Sequence, residues 1–385
     1  MEKYEPFLKL LACAVTGKPF THTEPFDLDE LFEFSSRHSV SSTVAHTVLN
    51  SDIELDDNQK QIWKEIEYKN CRKTYLYDME RASICQALDE NGIWHIPLKA
   101  IIINPLYPIY GMREFADNDI LIDSSAVERL EPIMESLGYK FDPVSISIHY
   151  TFKKKPMFNF ELHHRLFSDQ PQHELFNRFF QQRIDSMSKG AGGELNFTTE
   201  DSYLYFIAHA KRHFSEAGSG LRTLADVYLY RKKVPMDEEY LVRNMKALEL
   251  AEFADSLESL SKTLFASDTE FSLFALKEDE QAMLEEMIGM GTYGTSTVGI
   301  QKRFERYTNE TDSHKRLKYF KKRLFPDIEP YRKRYPTLYR HKILHPLFYV
   351  YRPINSLVKN GKNIRKEIKI VSKIKKDEKS KNPPD

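Results

Sequence analysis

Cysteine is scarce in this 385-residue chain: Cys13, Cys71 and Cys85 are its only members. They are too few and too scattered for a disulfide framework or a zinc site read from spacing, and they point to a reducing, cytoplasmic location. No apolar run approaches the ~20 residues needed to span a bilayer. The first residues, Met1-Glu2-Lys3-Tyr4-Glu5, are acidic and lack a basic-then-apolar leader pattern. The stretch Gly190-Ala191-Gly192-Gly193 lacks the spacing and the lysine of a phosphate loop, so it reads as a flexible connection. No His-Glu-x-x-His and no internal repeat occurs. What remains is a globular chain, 41% apolar, large enough for two cores or for one core with helical additions.

The net charge of −1 hides an asymmetry: residues 301–385 carry 25 Lys/Arg against 9 Asp/Glu, and the first 300 carry 31 against 48. A basic end of this kind meets an anionic surface, nucleic acid or the acidic body of the protein itself. Aromatic and basic residues interleave over Tyr331–Arg352, which suits base stacking. Leu344, Leu347, Phe348 and Val350 would suit weak membrane-surface contact. Neither partner is favoured over a solvated basic helix and a frayed end.

Residues 1–90 read as helices. Asp27 with Glu30 resembles a capping pattern ahead of Leu28, Leu31, Phe32 and Phe34, and a long amphipathic helix is expected from Asn58 to about Glu90, stopped by Asn91-Gly92. A short strand, Ile93–Lys99, follows, with Pro97 placed at an edge or strand end because it lacks an N–H. Next come a short helix from Ala100 to Pro108, a strand Asp117–Asp123, a helix Ser125–Leu137 closed by Gly138, and strands over Ser145–Lys153 and Pro156–His163. Further helices are expected at Asp201–Phe214, Gly220–Arg231, Asp237–Glu258, Lys277–Ile288 and, basic in character, Gln301 to about Arg323. Residues beyond Lys373 read as disordered.

The densest chemistry lies in Gly111-Met112-Arg113-Glu114-Phe115-Ala116-Asp117-Asn118-Asp119-Ile120-Leu121-Ile122. Side chains alternate along a strand, so Asp117 and Asp119 share a face. Two same-face carboxylates repel unless a cation lies between them, and Mg²⁺ or Mn²⁺ takes oxygen ligands of this kind. In Met157-Phe158-Asn159-Phe160-Glu161-Leu162-His163-His164, Phe158, Phe160 and Leu162 fall on one face, and Asn159, Glu161 and His163 on the other. Glu161 can supply a third carboxylate if this strand pairs beside the first.

The order Pro97-Leu98-Lys99-Ala100, Leu106-Tyr107-Pro108, Gly111, Arg113, Asp117-x-Asp119, Leu137-Gly138-Tyr139 and Glu161-x-His163 resembles an uncharacterised, mostly bacterial nucleotidyltransferase family. That family belongs to the DNA polymerase β-like superfamily. The likeness continues through Leu204–Leu229, with its spaced histidines, and to Leu324-Phe325-Pro326 and Arg334-Tyr335-Pro336.

The resemblance implies an α+β fold: a small mixed β-sheet nucleotidyltransferase core with extensive helical N- and C-terminal regions. The expected organisation is helical over 1–90, core over 91–170, and a helical region covering the cleft over 171–300. A basic helical region over 301–372 and a disordered basic tail over 373–385 complete it. The implied activity is transfer of a nucleoside monophosphate from an NTP such as ATP, with Mg²⁺ or Mn²⁺ as cofactor and release of pyrophosphate. The acceptor stays open among a sugar, a glycan intermediate, a small molecule, a protein or RNA. Asp117, Asp119 and Glu161 would be catalytic metal ligands, with Glu161 also a candidate base. Lys99 and Arg113 would hold the triphosphate, and His163 would orient Glu161 or touch substrate. His209 and His213, four apart on one helix face, would line the cleft or pack beside Arg222 and Asp226.

Two positions depart from the family pattern. Ala100 stands where glycine is usual, and Asn118 where an apolar residue lies between the acids. Asn118 would face the core and need a hydrogen-bond partner there. These departures motivate an alternative, a nucleotide-binding or regulatory protein of the same fold with weakened catalysis. A helical interaction protein with incidental acids is the third reading.

Overall fold

In the computed structural model, the described residues are 1–21, 27–142, 148–187, 190, 192–216, 218–265 and 271–292, with 321, 325, 340–353, 364–365, 368 and 371. The basic helix expected at Gln301–Arg323 and the tail from Lys373 lie almost wholly outside them. The chain divides into two compact units, one of Met1–Arg212 with Ser219–Tyr293 and one of His213–Gly218 with Gly294–Asp385. The regions expected over residues 1–300 thus fall mainly in the first unit. In the second, Lys342–Leu344 form a 3₁₀ turn leading into helical residues 345–353, where Leu347 and Val350 are exposed.

The first unit opens with helices α1 (Glu5–Thr16), α2 (Leu28–His38), α3 (Ser41–Leu49) and α4 (Asp57–Glu90). The Asp27 side chain accepts from Glu30 N at 2.8 Å, the cap that the sequence suggests. Asp56 and Gln59 form a reciprocal capping box at the start of α4, which runs 34 residues along the sheet.

The six strands are β1 (Trp94–Pro97), β2 (Asn118–Ile122), β3 (Lys140–Asp142), β4 (His149–Lys154), β5 (Phe158–His163) and β6 (Gly193–Glu194), in the order β3-β4-β5-β2-β1-β6. β2 runs parallel to β5 and β1 to β6, and the other pairs are antiparallel. Pro97 ends β1, beyond the two residues that pair with β6, so its missing N–H breaks no ladder on that side. Between β1 and β2 lie α5 (Ala100–Ile103) and a 3₁₀ turn, and between β2 and β3 lies α6 (Val127–Ser136).

One face of this sheet is apolar. Ile120 and Ile122 of β2, Phe158, Phe160 and Leu162 of β5, and Tyr150 and Phe152 of β4 pack with Tyr77, Ile84 and Leu88 of α4 and Leu130 and Met134 of α6. Burial of each such side chain is worth roughly 1.5–3 kcal/mol. The alternation of β5 therefore commits the opposite face to Glu161 and His163.

Helices α7 (Glu174–Ser186), α8 (Thr199–Glu216), α9 (Leu221–Lys233), α10 (Glu238–Ala247), α11 (Ala251–Phe265) and α12 (Glu278–Met290) follow. The single helix expected over Asp237–Glu258 is two. Glu249 takes φ +55°, a left-handed residue that ends α10, while Leu248 and Leu250 are buried on either side. α7 lies in the helical region expected over 171–300 but in none of the individual helices expected there, and part of the supposedly flexible glycine stretch is strand β6.

The loop before β2 is held from several elements. Asn70 Nδ2 donates to the carbonyls of Gly111 (2.5 Å) and Arg113 (3.2 Å), and Thr43 Oγ1 to that of Met112 (3.0 Å). Arg222 donates to the Glu114 carbonyl at 2.9 Å, and Lys73 to that of Phe115. Gly111, at φ +80°, lies so close to α4 that a Cβ would come within 2.4 Å of Cys71 Cα. Arg113 is buried and forks onto Asp226 of α9 (Nε–Oδ1 2.7 Å, Nη2–Oδ2 2.8 Å), and Tyr107 donates to the same carboxylate at 2.8 Å.

Removing one partner of a buried pair strands the other charge, at a cost of about 3–5 kcal/mol. Asp226→Ala is therefore expected to lower the unfolding free energy by that amount, and the double change Arg113→Met/Asp226→Leu to recover most of it. Denaturant unfolding of the three proteins checks this; a single variant as stable as wild type would refute it.

Candidate active site

In parallel strands, residues directly opposite one another point to the same side. β2 and β5 pair Asp119 with Glu161 and Leu121 with His163. The antiparallel β4 sets Thr151 beside Glu161 and His149 beside His163. The polar face of the sheet thus gathers Asp119, Glu161, His163 and His149, with Asp117 just ahead of β2.

Asp119 is 1% exposed and cannot remain there as an unpaired anion. Two groups meet it: Lys99 Nζ lies 2.8 Å and His163 Nε2 2.7 Å from Oδ1. Burial alone would raise its pKa, but Lys99 and then His163 overcome this and hold the carboxyl well below the usual range. Burial also works against the Lys99 charge, and Asp119 overrides it, so the ammonium is held above its ordinary value.

Lys99 owes its position to a strained turn. Leu98 N extends the β1–β2 ladder by bonding Asp119 O at 3.1 Å, and Ile101 N closes back on Leu98 O at 3.2 Å. Within that turn Lys99 adopts φ +50°, ψ −112°, a conformation that favours glycine and costs about 1–3 kcal/mol. Ala100, the position that departs from the family glycine, is not among the residues of positive φ and is buried at the core. Asn118 faces the core as expected, and its partner is Arg81 of α4, whose Nη1 donates at 3.4 Å.

The other two carboxyls behave oppositely. Burial, then Asp119 and Asp117, push Glu161 up to about 8. Burial and Asp119 also raise Asp117, against Lys99, Arg222 and His163. Glu161 Oε2 lies 3.8 Å from His163 Nε2 and 3.3 Å from His149 Nδ1, the latter without hydrogen-bond geometry. Burial lowers His149 to about 3 and also lowers His163. Ligand atoms of His149, Glu161 and His163 lie within 4.8 Å of one another, a grouping able to hold a metal ion.

α8 presents Tyr205, His209 and Arg212 at helical spacing, on one face. The buried Tyr205 hydroxyl makes no hydrogen bond among the described residues, and it senses the charges of Lys99, Asp119, Arg212 and Glu161. Arg212 Nη2 lies 3.2 Å from His209 Nε2 and acts on the Glu161 charge. His213 belongs with the second unit, where Gly218 N bonds its carbonyl at 2.8 Å.

The structure therefore brings together Asp117, Asp119, Glu161, His163 and Lys99. It commits Arg113 instead to Asp226 and to Asn104 Oδ1, 3.2 Å from Nη1. Arg222 and Arg212 also carry cationic charge that acts on these carboxylates, and Asp117 acts in turn on Arg113. The sequence reading passed over His149, Tyr205 and Arg212 as site residues; the Tyr205–His209 spacing was the one local signal. A cavity of about 990 Å³ opens at the far end of β2, lined by Trp94, Leu121, Asp123, Arg165 and Arg178 among others, and none of the grouped carboxylates lines it.

A mixed sheet with acids on neighbouring strands, flanked by helices, is the frame of a nucleotidyltransferase-like fold. A family model described as "Uncharacterised nucleotidyltransferase" matches residues 24–266, and the chain belongs to that family. Searches among curated proteins and among solved structures find no match. Among the described residues no helix is long and apolar enough to cross a membrane.

The raised Glu161 value carries a sign. Its folded value of about 8 exceeds the ordinary 4.5, so protonation favours the folded protein. That stabilisation is complete below the unfolded value and is lost as pH rises through about 8. In chelator, Glu161→Gln is expected to gain stability over wild type with rising pH, by roughly 3–4 kcal/mol between about pH 5 and pH 8. Thermal unfolding across that range tests this, and a constant difference would show that Glu161 ionises normally.

Proposed function

We propose that this nucleotidyltransferase transfers a nucleoside monophosphate from an NTP to an acceptor hydroxyl or phosphate and releases pyrophosphate. The observation that carries the proposal is the register of β2 on β5, with Asp119 beside Glu161 and Lys99 2.8 Å from Asp119. Oxygen donors from Asp117, Asp119 and Glu161 suit Mg²⁺ or Mn²⁺, and the orphaned His149 Nδ1 adds a nitrogen that Mn²⁺ tolerates better. Bound there, divalent cations would neutralise phosphate charge and activate the acceptor oxygen.

The remaining roles fall to the chain itself. Lys99 exchanges its hold on Asp119 for the donor phosphates. Arg222 and Arg212 supply further positive charge where pyrophosphate gains negative charge. Tyr205 O–H donates to a substrate oxygen. Glu161, ionised once cations offset the charge of Asp117 and Asp119, takes the proton of the acceptor hydroxyl, a contribution of roughly 10²–10⁴-fold for a well-placed base. His163 holds Asp119 in place through its 2.7 Å bond.

Neither departure from the family pattern touches the carboxylates, because Ala100 and Asn118 both turn to the core. That favours catalysis over nucleotide binding alone.

Thermal shift with each of the four NTPs, with and without Mg²⁺, tests the site. One nucleotide is expected to stabilise wild type by roughly 2.7 kcal/mol at a hundredfold excess over its dissociation constant, and Asp119→Asn to abolish this. With that donor, pyrophosphate release should fall at least about a hundredfold in Asp119→Asn. Nucleotide binding and turnover unchanged by the substitution would overturn the proposal.

A further inference from the structure

A second cluster of donors lies outside the carboxylate site, where β1 and β6 meet α4. β6 sets Glu194 beside His95 in parallel register, so both point to the face that α4 covers. Cys85 and Asp89 lie one turn apart on that helix. Ligand atoms of Cys85, His95 and Glu194 all lie within 4.8 Å of one another. A tetrahedral ion with bonds of about 2.0–2.3 Å holds its donors about 3.3–3.8 Å apart, so small side-chain adjustments close the set.

His95 supplies an independent sign of a missing ligand. It is 1% exposed, and its Nε2 has no hydrogen-bond partner among the described residues. Its Nδ1 lies 3.4 Å from Ile93 O and 3.5 Å from Asp89 Oδ1. Metal-binding imidazoles are commonly oriented by a carbonyl or carboxylate at the other nitrogen in this way. Glu194 Oε1 accepts from Asn196 Nδ2 at 3.4 Å, and its side chain is exposed.

The backbone is shaped for this approach. Gly192 takes φ +116°, and a Cβ there would come within 2.9 Å of Gly92 Cα, so only glycine lets the strand reach the end of α4. β6 has two residues, too short to be held by pairing alone.

We propose that Cys85 Sγ, His95 Nε2 and Glu194 Oε2 bind a zinc-class divalent cation that ties the edge strand β6 to β1 and α4. Sulfur, nitrogen and carboxylate oxygen donors together select such an ion over Mg²⁺. The spacing that argued against zinc in the sequence missed the set because each donor comes from a different element.

The test uses reduced, full-length protein stripped with chelator and titrated with Co²⁺ alone. Wild type is expected to take one equivalent showing near-ultraviolet thiolate-to-Co²⁺ charge transfer, displaced by Zn²⁺. Cys85→Ser should lose that absorption, and Glu194→Gln, on an exposed residue, should weaken Co²⁺ binding at least about tenfold. His149→Ala should leave the charge-transfer band intact, which separates this site from the His149–Glu161–His163 grouping. No charge transfer in wild type, or a band that persists in Cys85→Ser, would overturn the proposal.

Discussion

A carboxylate buried in the middle of a sheet is the constraint around which this protein is arranged. Asp119 has almost no contact with solvent, and in that setting its charge is stable only if opposite charge and hydrogen-bond donors converge on it. Lys99 arrives from the adjacent turn and His163 from the neighbouring strand, both on the same oxygen. The Lys99 turn is strained, and the strain persists because the β1–β2 ladder on one side and the buried α5 on the other leave no alternative. With its charge thus held, Asp119 in turn disfavours ionisation of Asp117 and Glu161. The three acids of one site are split into one firm anion and two that ionise reluctantly. That division separates a group that stays charged from one that can accept a proton.

Everything that positions Asp119 is itself secured at a distance. The loop over Gly111–Phe115 has each carbonyl bound by a side chain from α3, α4 or α9. The Arg113–Asp226 fork joins that loop to α9, so Arg222 on the same helix reaches the acids from a fixed base. Arg113 serves the site by holding the loop that carries Asp117. Its guanidinium is buried, and a bidentate carboxylate partner meets its fork there.

The elements legible in the sequence are those governed by local pattern. The capped start of α2 was visible in Asp27-x-x-Glu30, and the span of α4 in its amphipathic pattern from Asn58 to Glu90. The two faces of β5 could be read from the alternation of Phe158, Phe160 and Leu162 with Asn159, Glu161 and His163. Asp117, Asp119, Glu161 and Lys99 could be named because the family pattern runs in chain order. Less legible were features set by contacts far apart in sequence. The break at Glu249 follows from burial of Leu248 and Leu250, and β6 exists only because β1 offers an edge. Tyr205, His149 and Arg212 join the acids through helix packing and antiparallel register, neither of which leaves a local mark.

By itself, then, the sequence determined which residues share a strand face, where helices begin, and which family the chain belongs to. Those properties depend on periods of two and 3.6 residues and on short motifs. Tertiary structure alone decided which acid would be the firm anion, that Arg113 would face Asp226, and that Cys85, His95 and Glu194 would meet. Charge and ligation depend on distances of a few ångströms between residues up to about a hundred positions apart in the chain, and only the packed fold sets those distances.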